Sequence, residues 1–193
     1  MMLFVFLFGC SQEPTSTTNQ DASKEVVVEQ KKATNTAPPK EKILEKKKNI
    51  ENKAGNISKL YKTQANNLVQ AIEGTTAAPE ILKLADELTV TGLSLLPTMI
   101  QAHPECKEYL EAIRDVGPKL KDLPLEEIES GYHADGKLPK MPSPECYHGK
   151  DLVVHPATVS ALAKAGLSTP GARESAKHEI VEVLSHLSAI DSK

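Results

Sequence analysis

The sequence predicts an all-α protein: a helical bundle of about five helices with one long disulfide-braced loop, preceded by a disordered tether. Apolar residues recur every three or four positions through much of residues 56–193, which is the period of helices with one buried face. Proline or glycine stands where most of these segments would begin or end. Only Leu152-Val153-Val154 has the composition of a strand, and one strand cannot form a sheet.

The chain begins with an apolar run that ends in Leu7-Phe8-Gly9-Cys10. This run resembles the signal peptide and lipobox of bacterial lipoproteins, and the resemblance covers these residues alone. It implies that residues 1–9 are removed and that acylated Cys10 holds the exported protein on a lipid bilayer of the cell envelope, at the periplasmic face of the outer membrane. The disfavoured alternatives are a short buried apolar segment and a truncated membrane anchor. A spanning helix needs about 20 apolar residues, and the polar stretch that follows the run could not pack over it.

Residues 10–55 are predicted to form a lipidated, flexible, basic tether. Residues 11–39 are mostly polar, and their only apolar cluster is Val26-Val27-Val28, so this stretch cannot bury enough surface to offset its chain entropy. Residues 40–53 are rich in lysine. They form either a helix that contacts anionic lipid or a partner, or a solvated helical extension of the tether. The second interpretation is favoured because charge runs are usually solvated faces.

Residues 56–193 are predicted to form the helical domain. The predicted helices begin near Asn56, Pro79, Pro104, Pro156 and Ser168, with one short helical turn over Leu125–Ser130. Gly74, Gly117 and Gly166 are expected to end helices. Pro97 predicts a kink or a break in the second helix, because proline lacks an N–H and crowds the carbonyl four residues earlier.

The long loop is predicted over residues 131–154, which contain three prolines and little periodicity. Irregular segments of that length in compact domains are usually functional, cross-linked or disordered. If Cys10 is acylated and the protein exported, Cys106 and Cys146 are the remaining thiols in an oxidising compartment. The sequence therefore predicts a Cys106–Cys146 disulfide, which would contribute roughly 4 kcal/mol by loop-closure entropy.

The competing hypothesis is a metal site. His103-x-x-Cys106 and Cys146-x-His148 would together make a Cys2His2 zinc set, which a disulfide excludes. Without the cysteines, the candidate imidazole ligands for copper or zinc are His103, His133, His148 and His155. His103 and His155 alternatively do no more than precede helix-starting prolines. His178 and His186 are predicted to face solvent from the last helix.

Two similar clusters flank the prolines of the loop, one at Tyr132-His133 and one at Tyr147-His148. They would line a small pocket for an acidic ligand, or they are a chance repetition in a turn-rich segment. Covalent haem attachment is not supported, since no C-x-x-C-H motif is present. Haem held non-covalently between helices stays open.

The amino-acid composition makes several classes of ligand and partner less expected. The chain has no tryptophan, and its three phenylalanines lie in the first eight residues, so the aromatic platforms that stack bases or sugars are almost absent. A formal charge of −3 gives no attraction to polyanions, and nucleic acid is not an expected partner. Recognised catalytic motifs are missing, so an enzyme is not favoured.

The predicted function is that of a membrane-anchored exported lipoprotein acting as a non-catalytic binding or assembly module. It would contact the bilayer and a protein partner in the envelope, and it would need no cofactor. The alternative is a periplasmic metal- or haem-binding protein that uses the loop histidines for zinc, copper or haem.

Overall fold

A computed structural model of the protein describes residues 40–191. The predicted signal peptide, Cys10 and the first part of the tether lie outside the described residues. The described helices are α1 (Lys40–Glu73), α2 (Ala78–Ala102), α3 (Lys107–Leu120), α4 (Leu125–Ile128), α5 (Glu145–Lys164) and α6 (Pro170–Asp191), with a 3₁₀ turn at Pro104–Cys106 and a π-helical turn at Glu129–His133. No strand occurs within residues 40–191, so the all-α prediction is confirmed.

Helix α5 is the central element of the bundle. It packs against α2, α3, α4 and α6, while α1 packs against α2 and α6. Every residue from Gly149 to Ala161 is buried, so α5 is enclosed on all sides of its middle turns. A helix in that position needs no polar face.

Helix α5 begins earlier, and the loop before it is shorter, than the sequence analysis predicts. The predicted loop over residues 131–154 is irregular only over residues 134–144, and Leu152-Val153-Val154 is helical. The predicted helix start at Pro156 is wrong, because α5 begins at Glu145 and continues through this proline. Pro156 has no N–H for the carbonyl of Leu152. The hydroxyl of Tyr61 donates a hydrogen bond to that carbonyl oxygen instead, at 2.8 Å.

The position of the Leu152 carbonyl also explains why residue 92 of α2 is a glycine. A Cβ atom at Gly92 would lie 2.1 Å from the oxygen of Leu152, so only glycine lets α2 approach α5 this closely. Helix α2 runs unbroken through Pro97 to Ala102, so the predicted break does not occur. Helix α3 likewise continues past Gly117, to Leu120.

The predicted disulfide between Cys106 and Cys146 is confirmed. The sulfur atoms lie 2.08 Å apart and the Cα atoms 5.2 Å apart. The bond joins the 3₁₀ turn before α3 to the first turn of α5. Because both sulfurs are used in the disulfide, the competing Cys2His2 zinc site is wrong.

Helix α1 begins at Lys40 and so includes the basic stretch over residues 40–53. The described side chains at its beginning, Leu44, Glu45 and Lys48, are exposed. Within residues 40–191, no helix is both long and apolar enough to cross a membrane.

Candidate metal centre

Two neighbouring helices bring the candidate site together. A short turn at residues 165–169, with Gly166 at φ 108°, joins α5 to α6. Residues three and seven positions apart share one face of a helix. This spacing occurs on both helices, at His148, Asp151 and His155 of α5 and at Glu179, Glu182 and His186 of α6. These two faces meet in the bundle and form the site.

The first group of donor atoms consists of Asp151, His155 and His186. The Asp151 Oδ2 lies 3.1 Å from the Nε2 of His186, and the Asp151 Oδ1 lies 3.5 Å from the Nε2 of His155. One donor atom from each residue falls within 4.8 Å of the other two. Ligands bound at 2.0–2.1 Å around a tetrahedral zinc ion are separated by about 3.3 Å. The two observed separations are close to this value.

The carboxylate of Asp151 is the most unusual group in this set. Its side chain is fully buried, at 0% exposure. No hydrogen bond of good geometry from the described part of the chain reaches either of its oxygens. A buried charge without hydrogen bonds is costly, by several kcal/mol. A cation bound close to both oxygens would offset this cost.

His148 orients His186 from the far side of its ring. The two Nδ1 atoms lie 2.9 Å apart, which is a hydrogen-bond distance. If the Nδ1 of His186 carries the proton, its Nε2 presents a lone pair towards Asp151. Metal-binding imidazoles are commonly fixed by such a bond from their second nitrogen. Burial lowers the pKa of His186, which keeps that lone pair free at neutral pH.

The second group of donor atoms consists of His133, His155 and Glu179, again within 4.8 Å of one another. The Nδ1 of His155 lies 2.8 Å from the Oε2 of Glu179 and 3.7 Å from the Oε2 of Glu182. The rings of His133 and His155 have centroids 4.9 Å apart. His155 thus belongs to both groups, with one ring nitrogen in each.

The carboxylates around His155 determine its charge in the absence of a metal. Burial lowers the pKa of this imidazole, but the hydrogen-bonding capacity and charge of Asp151 and Glu179 outweigh burial and raise the pKa to about 9. Even so, neither ring nitrogen has a hydrogen-bond partner in the described part of the chain. Carboxylate oxygens nevertheless lie close to both nitrogens, 2.8 Å from the Nδ1 and 3.5 Å from the Nε2.

The buried side chain of Lys150 contacts residues in and next to the site. The Nζ of Lys150 donates hydrogen bonds to the carbonyl oxygen of His133 at 2.6 Å and to the Oδ1 of Asp135 at 3.0 Å. It also lies 3.9 Å from the Oδ1 of Asp151. Tyr109 donates a further hydrogen bond to the Oδ1 of Asp135, at 2.7 Å. Asp135 has a φ of 61°, a left-handed conformation that aspartate tolerates better than most residues.

The structure shows which of the site residues predicted from the sequence lie together and which do not. It brings His133, His148 and His155 together, whereas His103 lies at the end of α2 beside Glu105, with 3.4 Å between its Nδ1 and the Oε1. Tyr147 packs edge-on against the ring of His186, with centroids 5.1 Å apart. Tyr132 instead lies under Lys137, outside the donor groups.

Sequence reasoning missed three members of the site, namely Asp151 as a ligand, Glu179 and His186. The prediction that His186 faces solvent is wrong, since its side chain is 19% exposed and lies in the cluster. The side chain of His178 is 68% exposed. Comparisons with known protein families, with curated proteins and with solved structures found no match to this chain.

Proposed function

We propose that the protein is an exported, lipid-anchored envelope protein that binds a divalent transition metal, zinc or copper, through Asp151, His155 and His186. Nitrogen and carboxylate ligands on facing helices of a bundle suit these ions. Binding rather than catalysis is favoured because Asp151 and His155 are fully buried. A catalytic metal needs a coordination position that substrate can reach.

The single observation that carries the proposal is the buried carboxylate of Asp151, which faces two imidazole nitrogens and accepts no well-formed hydrogen bond from the described residues. The rival account is a self-compensated set of buried ion pairs, in which protonated His155 and Lys150 neutralise Asp151. Such sets are tolerated when hydrogen bonds satisfy their lone pairs. Among the residues that the structure describes, none forms such a bond of good geometry with either carboxylate oxygen of Asp151 or either ring nitrogen of His155, which favours the metal.

Haem fits the site less well than a single ion does. The ring centroids of His148 and His186 are 5.1 Å apart, and those of His155 and His186 are 6.0 Å apart. A porphyrin could not enter between rings at these distances without separating α5 from α6. The haem alternative is therefore not favoured.

Export and anchoring complete the proposal. The lipobox-like Leu7-Phe8-Gly9-Cys10 supports acylation of Cys10, and the disulfide supports residence in an oxidising compartment. We expect the native protein to begin at Cys10 and to carry acyl chains, which mass spectrometry of the membrane fraction would detect. An intact Met1 and an unmodified Cys10 in the cytoplasm would contradict the anchor. A protein partner in the envelope stays a prediction, to be tested by co-purification from detergent-solubilised membranes.

Zinc is expected to stabilise the purified protein against thermal unfolding. Free Zn²⁺ at about a hundred times its dissociation constant adds about 2.7 kcal/mol to a protein that binds it only when folded. For a domain of this size, that corresponds to a rise in Tm of roughly 5–10 °C. The measurement compares Tm in excess Zn²⁺ and in a chelator. Asp151→Asn is expected to reduce this difference in Tm clearly, because it removes one ligand of the proposed ion.

The comparison is internal to each variant, so a change in metal-free Tm does not affect the conclusion. His103→Gln is the matched control, because this histidine lies outside the donor groups, and it should keep the full zinc response. If Asp151→Asn does not fold, His186→Gln replaces it, since that side chain is partly exposed. A wild-type Tm that zinc and chelator leave unchanged would overturn the proposal.

A further inference from the structure

We propose that the site holds two metal ions that share His155, with the imidazole ring bridging them. The Nε2 of His155 would bind the first ion together with Asp151 and His186, and its Nδ1 would bind the second ion together with His133 and Glu179. This inference rests on the proposed function and adds a second metal position to it.

The Nδ1 of His155, like its Nε2, has carboxylate oxygens close by. The Oε2 of Glu179 lies 2.8 Å from the Nδ1, yet no hydrogen bond joins these two buried atoms. A carboxylate oxygen this close to a buried ring nitrogen, with no hydrogen bond between them, is placed as a second ligand of a shared ion would be. A simple hydrogen-bond acceptor behind a metal-binding histidine would accept that bond.

His133 supplies an independent observation. Its Nε2 is buried and has no hydrogen-bond partner in the described part of the chain. Its Nδ1 lies 3.5 Å from the Oε2 of Glu129, one turn earlier in the π-helical turn. A carboxylate behind one nitrogen leaves the other nitrogen free to bind a metal. Short π-helical turns also occur frequently at functional sites.

The charges of the site balance two divalent ions. Asp151, Glu179 and Glu182 each carry one negative charge, and the Oε2 of Glu182 lies 3.7 Å from the Nδ1 of His155. Binding of the second ion releases the remaining ring proton of His155 to solvent, and the imidazolate becomes the fourth negative group. The positive charge of Lys150 is offset by Asp135, which lies 3.0 Å from its ammonium group, although that group also lies 3.9 Å from Asp151.

Metal stoichiometry separates this inference from the proposed function. The full chain is dialysed against Zn²⁺ and its zinc content measured per chain. Two ions are expected in the wild type, one in Asp151→Asn and one in Glu179→Gln, with two retained in the control His103→Gln. One ion in the wild type that Glu179→Gln does not remove would overturn the second position and leave the proposed function intact. No bound zinc would overturn both.

Loading with Cu²⁺ tests the bridge itself. Two Cu²⁺ ions joined by one imidazolate couple magnetically, so the integrated electron paramagnetic resonance signal of the wild type should fall well below two spins per chain. Glu179→Gln should give one full, uncoupled spin. If that variant does not fold, His133→Gln should give the same result. Two full, uncoupled spins in the wild type would overturn the shared ligand.

Discussion

Replacing Cys106 and Cys146 together with alanine is expected to lower the free energy of unfolding by about 4 kcal/mol. The bond closes a sequence separation of 40 residues, and its loss restores the freedom of that segment in the unfolded chain. Both cysteines are fully buried, so alanine is preferred to serine, which would bury a hydroxyl. Denaturant unfolding followed by circular dichroism measures the change, and Tm should fall by roughly 8–16 °C.

Reduction of the wild-type protein provides the matching comparison. Because it breaks the same bond without a substitution, it should give most of the same loss. If the free energy of unfolding of the double variant is less than about 1 kcal/mol below that of the wild type, the expectation is contradicted. That result would mean that packing against neighbouring helices, without the disulfide, is enough to fix the first turn of α5, which carries His148.

The helices with one solvent-facing side could be predicted from the sequence because apolar and polar residues alternate along them with the helical period. Helix α5 could not. It is buried on all sides, so consecutive apolar residues at 152–154 carry no period, and its one proline, Pro156, is typical of a turn. Pro156 is tolerated only because Tyr61 satisfies the carbonyl that the proline leaves free. That contact joins residues 91 positions apart and leaves no local signal.

The site was predicted only in part for the same reason. His133, His148 and His155 were recognisable as candidate ligands by residue type alone. Asp151 becomes a candidate only when residues 148–155 are helical, since it then shares a face with two of these histidines. Glu179 and His186 depend in turn on α6 lying against that face. The disulfide, by contrast, needed only the count of thiols and the expectation of export.

Replacing Lys150 with methionine is expected to destabilise the metal-free protein by about 3–5 kcal/mol, the usual consequence of removing one partner from a buried ion pair. The lysine side chain is 1% exposed, and its ammonium group contacts Asp135 and the fully buried Asp151. Methionine keeps most of the volume and removes the charge, so the loss reports electrostatics and hydrogen bonds rather than packing. Chemical denaturation in the presence of a chelator is the measurement.

Lys83 is the matched control, because it is an exposed lysine, 3.7 Å from Glu80 on the surface of α2. Lys83→Met should change stability by less than about 0.5 kcal/mol. Zinc should recover part of the loss in Lys150→Met, since a cation beside Asp151 replaces the missing charge. The zinc-induced rise in Tm should therefore be larger in this variant than in the wild type. If Lys150→Met loses stability and zinc restores none of it, the metal and the lysine do not act on the same carboxylate.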